Sequence, residues 1–252
     1  VNSEVTEILG SIQDSLVEGL TPSREPTRTG GLLTLFHKSS SLKYVNQTVP
    51  VGDVSRADLE ELKQVCASRD RSPFFEFHLE LWPAVPPLLE EAGFVRLNTL
   101  PVMGIARAEW HGYPSEIEVK DCTRADLSNL HRVGALSFGG DPDEPEDQGL
   151  ANAIEAGRML ACLAFCDDKP VGLGLAVGTA KIREIAGVGT LPEYRRRGVA
   201  AAVNARLADR FFALGGELAW LTPGSDEARR VYERVGFRHF ATQVAYELPG
   251  AD

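Results

Sequence analysis

EIAGVGTLPEYRRRGVA, residues 184–200, is the most informative segment of this 252-residue chain. A mostly apolar run ends at Thr190, and Leu191-Pro192 stops it as a turn would. Arg195-x-x-Gly198-x-Ala200 then opens a pattern in which Val199, Val203, Leu207, Phe211 and Leu214 share one helical face, closed by Gly215. The spacing predicts a strand, a turn and a helix over Arg195–Leu214. A helix start leaves backbone N–H groups unpaired, and its dipole adds positive potential. Gly198 and Ala200 are small enough for an anion to reach the backbone, and Arg195, Arg196 and Arg197 add cationic donors. Such a start suits a pyrophosphate. The same arginines also fit a solvated surface.

The flanking patterns supply the rest of an α/β lobe. Ile117 and Val119 mark a strand, and Thr123 with Asp126 forms a capping box for a helix to about Leu136. Met159–Phe165 and Val171–Val177 read as strands joined by the turn Asp167–Pro170, with Ile182–Thr190 as the next strand. Leu218–Leu221 reads as a strand, Asp226–Val235 as a short helix and Phe237–Leu248 as a last strand region. Between the first helix and the first hairpin lies an acidic loop carrying Asp141, Asp143, Glu144, Glu146 and Asp147. It is either a solvated loop or an attractor for a cationic amine.

Residues 184–200 resemble the pyrophosphate-binding motif of the GCN5-related N-acetyltransferases (GNAT), [Q/R]-x-x-G-x-[G/A]. Ala228-x-x-x-Tyr232-x-x-x-Gly236-Phe237 is similar to the next helix of that family, and the two motifs occur in the family's order. The resemblance covers about residues 115–250 and implies a GNAT N-acetyltransferase domain there: a mixed, mainly antiparallel sheet flanked by helices. It further implies acetyl-CoA as cosubstrate, direct transfer of its acetyl group to a primary amine in a ternary complex, and no metal. By the same resemblance Val188, Gly189 and Thr190 offer backbone groups to the pantetheine arm, and Arg196, Arg197, Gly198, Val199, Ala200 and Ala201 hold the pyrophosphate beside Arg195. Tyr232 stands where the family has a general acid for the leaving thiolate; otherwise it is a core aromatic. Ser225 replaces the family's common Asn, and either contacts CoA or caps its helix. Glu184 is the candidate base, or else an exposed strand residue or an ion pair with Arg183. A chain that holds acyl-CoA without turnover, as a sensor or structural module, is the alternative.

The N-terminal part, residues 1–112, has no such phosphate loop. Helical spacing covers residues 1–20, a loop 21–31, a strand 32–36 and a helix 58–67 after the Ser55–Asp58 start signal. Phe75, Phe77, Leu79 and Leu81 alternate with Glu76, His78 and Glu80, which predicts a half-buried strand with His78 and Glu80 toward solvent. Trp82–Ala92 reads as a Pro-started helix, and 110–115 as a linker. Leu89–Phe94 is similar to Tyr232–Phe237, each a helix end running into Gly-Phe. This part is therefore a degenerate GNAT-like copy or an unrelated accessory lobe, with Leu89 in place of a proton donor.

Composition sets the bounds. Hydrophobic residues are 43% and charged residues 25%, enough for a sizeable core. A net charge of −10 argues against nucleic acid as a partner. No apolar run is long enough to span a membrane, and no basic start precedes an apolar stretch, so a cytoplasmic location is expected. The first residue is Val, so an initiator Met or a few residues are expected before it. Cys66, Cys122, Cys162 and Cys166 form no C-x-x-C pair, which fits buried free thiols. The acceptor amine and the oligomeric state leave no mark in these patterns.

Overall fold

The computed structural model describes residues 3–38, 40–143 and 148–250. The backbone forms two compact units, Val1–Val102 with Phe240–Asp252, and Met103–His239. The first unit opens with α1 (Ser3–Leu20), β1 (Arg24–Thr29), β2 (Leu32–His37), β3 (Gln47–Pro50), α2 (Arg56–Ser68), β4 (Phe74–His78) and α3 (Val85–Glu91). β5 (Val95–Ala106) begins in that unit and ends in the second. There follow β6 (Glu118–Asp121), α4 (Leu127–Phe138), α5 (Gln148–Glu155), β7 (Met159–Cys166), β8 (Lys169–Gly178), β9 (Ile182–Thr190), α6 (Val199–Ala213), β10 (Leu218–Leu221) and α7 (Asp226–Val235). β11 (Arg238–Glu247) carries the chain back to the first unit.

That return moves the unit boundary. β11 pairs antiparallel with β4, Val244 opposite Phe77 and Tyr246 opposite Phe75. Both residues enter a core with Leu32, Phe36, Leu59 and Leu62. The sequence divides at 1–112 and 115–250, whereas the compact units divide at Val102/Met103 and residues 240–252 join the first. A strand's sheet partner is a tertiary choice that its own residues do not encode.

Local signals worked where the physics is local. The Ser55 capping box starts α2, with Ser55 Oγ accepting from Asp58 N–H at 3.3 Å and Asp58 accepting from Ser55 N–H at 3.0 Å. Asp167 (φ 50°) and Asp168 (φ 60°) take left-handed backbone in the β7–β8 turn. Residues 21–31, expected as a loop, instead contain β1. Among the described residues β1 pairs only with β2 and lies at the edge of its sheet, where Pro26 and polar residues are tolerated. α3 begins at Val85 rather than Trp82, with Pro86 in its first turn.

β4 overturns the expected half-buried pattern. Phe75 and Phe77 face the core, yet His78 on the other side is only 2% exposed. Its neighbour Glu76 accepts from the side chains of Gln47 and Gln243 at 2.6 Å each. Burial lowers the His78 pKa from 6.5 to about 4. The unfolded chain therefore takes up a proton below about pH 6.5 that the folded chain resists until about pH 4. Stability is expected to fall by about 3 kcal/mol across that window from this group. Denaturant titrations at both ends should show the loss shrinking in His78→Leu, and an equal loss in the variant would reject His78 as its cause.

The second unit orders its strands β10-β9-β8-β7-β6, with β9 and β10 parallel and the other pairs antiparallel. The last four residues of β5 pair antiparallel with β10. α6 lies directly on the sheet: a Cβ on Gly172 would come within 2.3 Å of Val199, and one on Gly174 within 2.5 Å of Val203. Leu173 and Gly189 face the other way, toward Gly134 and Ser137 of α4. β9 is thus held from both faces.

Candidate active site

The site begins where two parallel strands part. β10 pairs with β9 at Ile182, Arg183 and Glu184, and no further. From Ile185 to Thr190 that edge of β9 has no strand beside it among the described residues. On its other edge β9 carries a bulge: Ala186 is opposite Leu175 but Gly189 is opposite Leu173, and Gly187 has φ 58°. The open edge presents backbone groups that an extended ligand can pair with.

Beyond Thr190 the loop is braced and then reversed. Arg195 donates from Nε to the Thr190 carbonyl and from a terminal nitrogen to the Ser137 carbonyl, both at 3.2 Å. Arg196 (φ 64°) and Gly198 (φ 88°) are left-handed, so the sign of φ alternates from Arg195 to Val199. Alternating backbone of this kind turns successive N–H groups toward one point and binds anions. It also prevents a helix from starting at Arg195, and α6 begins at Val199 rather than at the expected Arg195. Gly198 is the N-cap and has no side chain to satisfy the first-turn N–H groups.

A cleft of about 570 Å³ runs along these features, walled by Val188–Thr190, the loop and start of α6, and one face of α7. Val188, Gly189, Thr190, Arg195, Arg196, Gly198, Val199, Ala200, Ala201, Ser225 and Tyr232 all line it. Arg197 does not; its guanidinium lies 5.2 Å from the Tyr194 ring centroid. Among the described residues, four arginines (Arg195, Arg196, Arg230 and Arg234) and one carboxylate, Glu227, lie on the walls. In a chain of net charge −10 this is a local positive field, suited to a polyanion.

Tyr232 is buried in α7, and its pKa is raised above the ordinary phenol value by burial, against a smaller lowering by the Asn204 side chain. A phenol so placed stays protonated at neutral pH and keeps a proton to give. Ser225 lines the cleft and also caps α7, its Oγ accepting from Ala228 N–H at 3.2 Å. Glu184 is on β9 outside the cleft lining. Strand alternation puts its side chain on the face opposite Arg183. Arg183 turns instead to α6, 5.9 Å from the Phe211 ring, and donates to the Thr179 and Gly157 carbonyls at 3.0 and 2.8 Å. Of the alternatives for Glu184, an ion pair with Arg183 is therefore excluded.

Sequence reasoning missed Ser137 and Phe138, which bring the end of α4 to the cleft, and Arg230 and Arg234 on its α7 wall. The arginines carried a signal, their four-residue spacing on one helix face. Ser137 carried none, because only the fold brings α4 to Gly189. Of the acidic loop, Asp141 and Asp143 are exposed just past α4, while Glu144, Glu146 and Asp147 lie outside the described residues. Cys66, Cys122 and Cys162 are buried and Cys166 half-buried, all as free thiols. Among the described residues no group of three His, Cys, Asp or Glu side chains could hold a metal, and no helix is long and apolar enough to cross a membrane.

Comparison with known proteins agrees with this geometry. The acetyltransferase (GNAT) family model matches residues 125–237. No curated protein matches in sequence. Among solved structures, a GCN5-related N-acetyltransferase from Kribbella flavida is 26% identical, with a TM-score of 0.79 over 96% of each chain. A GCN5-related N-acetyltransferase from Sphaerobacter thermophilus shares the fold at 16% identity and TM-score 0.58, over 98% of this chain and 94% of its own. So does a tandem GNAT protein from the clavulanic acid biosynthesis pathway, at 11% identity and TM-score 0.59 over 100% and 97%. With the open strand edge, the uncapped helix start and the family match all falling in one stretch, the chain carries over residues 125–237 a domain of the acetyltransferase (GNAT) family.

Proposed function

We propose that the cleft binds acetyl-CoA and that the protein moves its acetyl group directly to a primary amine in a ternary complex. One observation carries this reading: the unpaired edge of β9 leads straight into the uncapped start of α6, with Tyr232 on the facing wall. The pantetheine amides pair with the Val188–Thr190 backbone, and the pyrophosphate sits on the N–H groups from Arg196 to Ala201. The amine attacks the thioester carbon, and Tyr232 protonates the departing thiolate. Holding amine and thioester together supplies much of the rate. Phe138, 64% exposed at the cleft, and Asp141 and Asp143 beyond it give the acceptor an apolar contact and a negative field.

We propose that the first unit is a degenerate copy of the fold. α3 and α7 close alike: Phe94 N–H donates to the Leu89 carbonyl and Phe237 N–H to the Tyr232 carbonyl, both at 3.0 Å. Gly93 and Gly236 are both at positive φ. Leu89 then stands where Tyr232 does and has no proton to donate.

Calorimetric titration with acetyl-CoA, followed by thiol release across a panel of amines, tests the reading. Saturable binding and amine-dependent thiol release are expected. Folded protein that binds neither acetyl-CoA nor CoA would remove the enzyme reading altogether. Glu184 is proposed as the base acting on the amine through water. Glu184→Gln is expected to lower kcat by about 10²-fold with acetyl-CoA affinity unchanged. Wild-type turnover in that variant would take Glu184 out of the reaction.

A further inference from the structure

α4 stops at Gly139, which takes left-handed backbone (φ 79°) just past its last turn. The final backbone carbonyls of a helix have no partner within it. At Ser137 that carbonyl accepts from Arg195 at 3.2 Å, which ties the end of α4 to the loop before α6. The Ser137 side chain has no such tie. The residue is 9% exposed, and its Oγ is buried with no hydrogen-bond partner among the described residues. A helical serine often bonds the carbonyl four residues back, and this one does not. An orphan hydroxyl here costs stability, and alanine would serve the helix better. Its surroundings give the hydroxyl a use. Ser137 lines the cleft. It also packs against Gly189, where a Cβ would lie 2.8 Å from Ser137 Cβ and 3.0 Å from its Oγ. Glycine at 189 thus brings α4 up against β9 within Ile185–Thr190, the stretch with an unpaired edge among the described residues.

We propose that the Ser137 hydroxyl donates a hydrogen bond to a carbonyl of the acyl-pantetheine arm, an amide or the thioester, where the arm passes Gly189. This rests on the acetyl-CoA reading given above. An extended arm beside β9 turns its polar groups alternately toward the strand and away from it. The strand edge serves the first set. A carbonyl of the second set needs a donor from elsewhere, because a buried one left without a partner is costly. A serine hydroxyl turns about a single bond, so a donor with no partner in the wall can swing to such a carbonyl. Val188 points to the α6 side of the sheet, where it neighbours Val203 across Gly174, and Gly189 points to Ser137. The arm is then held from both faces, by the start of α6 on one and by Ser137 on the other.

The test is Ser137→Ala in the full chain, titrated calorimetrically with acetyl-CoA, CoA and S-ethyl-CoA, which keeps the arm but has no thioester carbonyl. Affinity should fall about 5-fold, the worth of one neutral hydrogen bond. A loss confined to acetyl-CoA puts the bond on the thioester carbonyl, and an equal loss for all three puts it on an amide. Without ligand the variant should melt at or above the wild-type temperature, since it buries one unsatisfied group fewer. Equal affinities in variant and wild type for all three ligands would overturn the proposal and leave the acetyl-CoA reading standing. A variant that melts well below wild type and binds all three weakly would make Ser137 a packing residue, and would overturn it too. Wild-type protein that binds none of the three would remove the acetyl-CoA reading and this proposal with it.

Discussion

Tyr232→Phe is expected to lower kcat by about 10³-fold while acetyl-CoA binds within a few-fold of its wild-type affinity. The phenol ring is 8% exposed and packs with the core of the second unit, and phenylalanine keeps that ring. Only the hydroxyl goes, and with it the proton donor facing the cleft. The proposed binding surface is the β9 edge and the start of α6, which the substitution leaves alone. The pH profile adds an independent sign. An acid must be protonated to act, and burial raises this phenol above its ordinary value of 10. Turnover should therefore hold through neutral pH and fall only above about pH 10, as the phenol ionises. The variant should lose that alkaline limb. Thiol-release rates with saturating amine across pH measure both effects, and unchanged turnover would reject the acid role.

Ala200→Asp should abolish acetyl-CoA binding and leave the protein folded. Ala200 is the second residue of α6 and lines the cleft. A carboxylate in the first turn of a helix is favourable, because it complements the dipole and the free N–H groups. Those are the same groups on which the pyrophosphate is proposed to sit. The new carboxylate occupies the anion site and repels the ligand, a loss of about 4 kcal/mol, or roughly 10³-fold in Kd. Ala200→Asn has similar bulk without the charge and should lose much less. Calorimetry on both variants, beside a thermal melt, separates charge from bulk and binding from folding. Unaltered binding in Ala200→Asp would place the pyrophosphate elsewhere.

The two variants probe features that differ in how openly the sequence carries them. Arg195-x-x-Gly198-x-Ala200 and Ala228-x-x-x-Tyr232-x-x-x-Gly236-Phe237 are local patterns, because a helix start and a helix end are built from consecutive residues. Their residues include the loop, the start of α6 and the tyrosine that line the cleft. The loop's own geometry was harder to foresee. Three consecutive arginines read as helix, yet Arg196 at φ 64° delays α6 until Val199. The chain accepts a left-handed residue there because Arg195 is tied to Thr190 and Ser137 on either side.

By itself, then, the sequence determined the strands from β6 to β10, the helices α4, α6 and α7 with their small residues and tyrosine, but not α5 or the first residue of α6. These follow from spacing, capping and glycine placement within a few residues. Only the tertiary structure decided that β10 leaves β9 after Glu184, that Arg183 turns to the Thr179 and Gly157 carbonyls, that α4 brings Ser137 and Phe138 to the cleft, and that β11 pairs with β4 within the first unit. The reason is physical: a strand's partner, a side chain's face and a cleft's far wall are set by contacts between residues distant in the chain, which no short stretch contains.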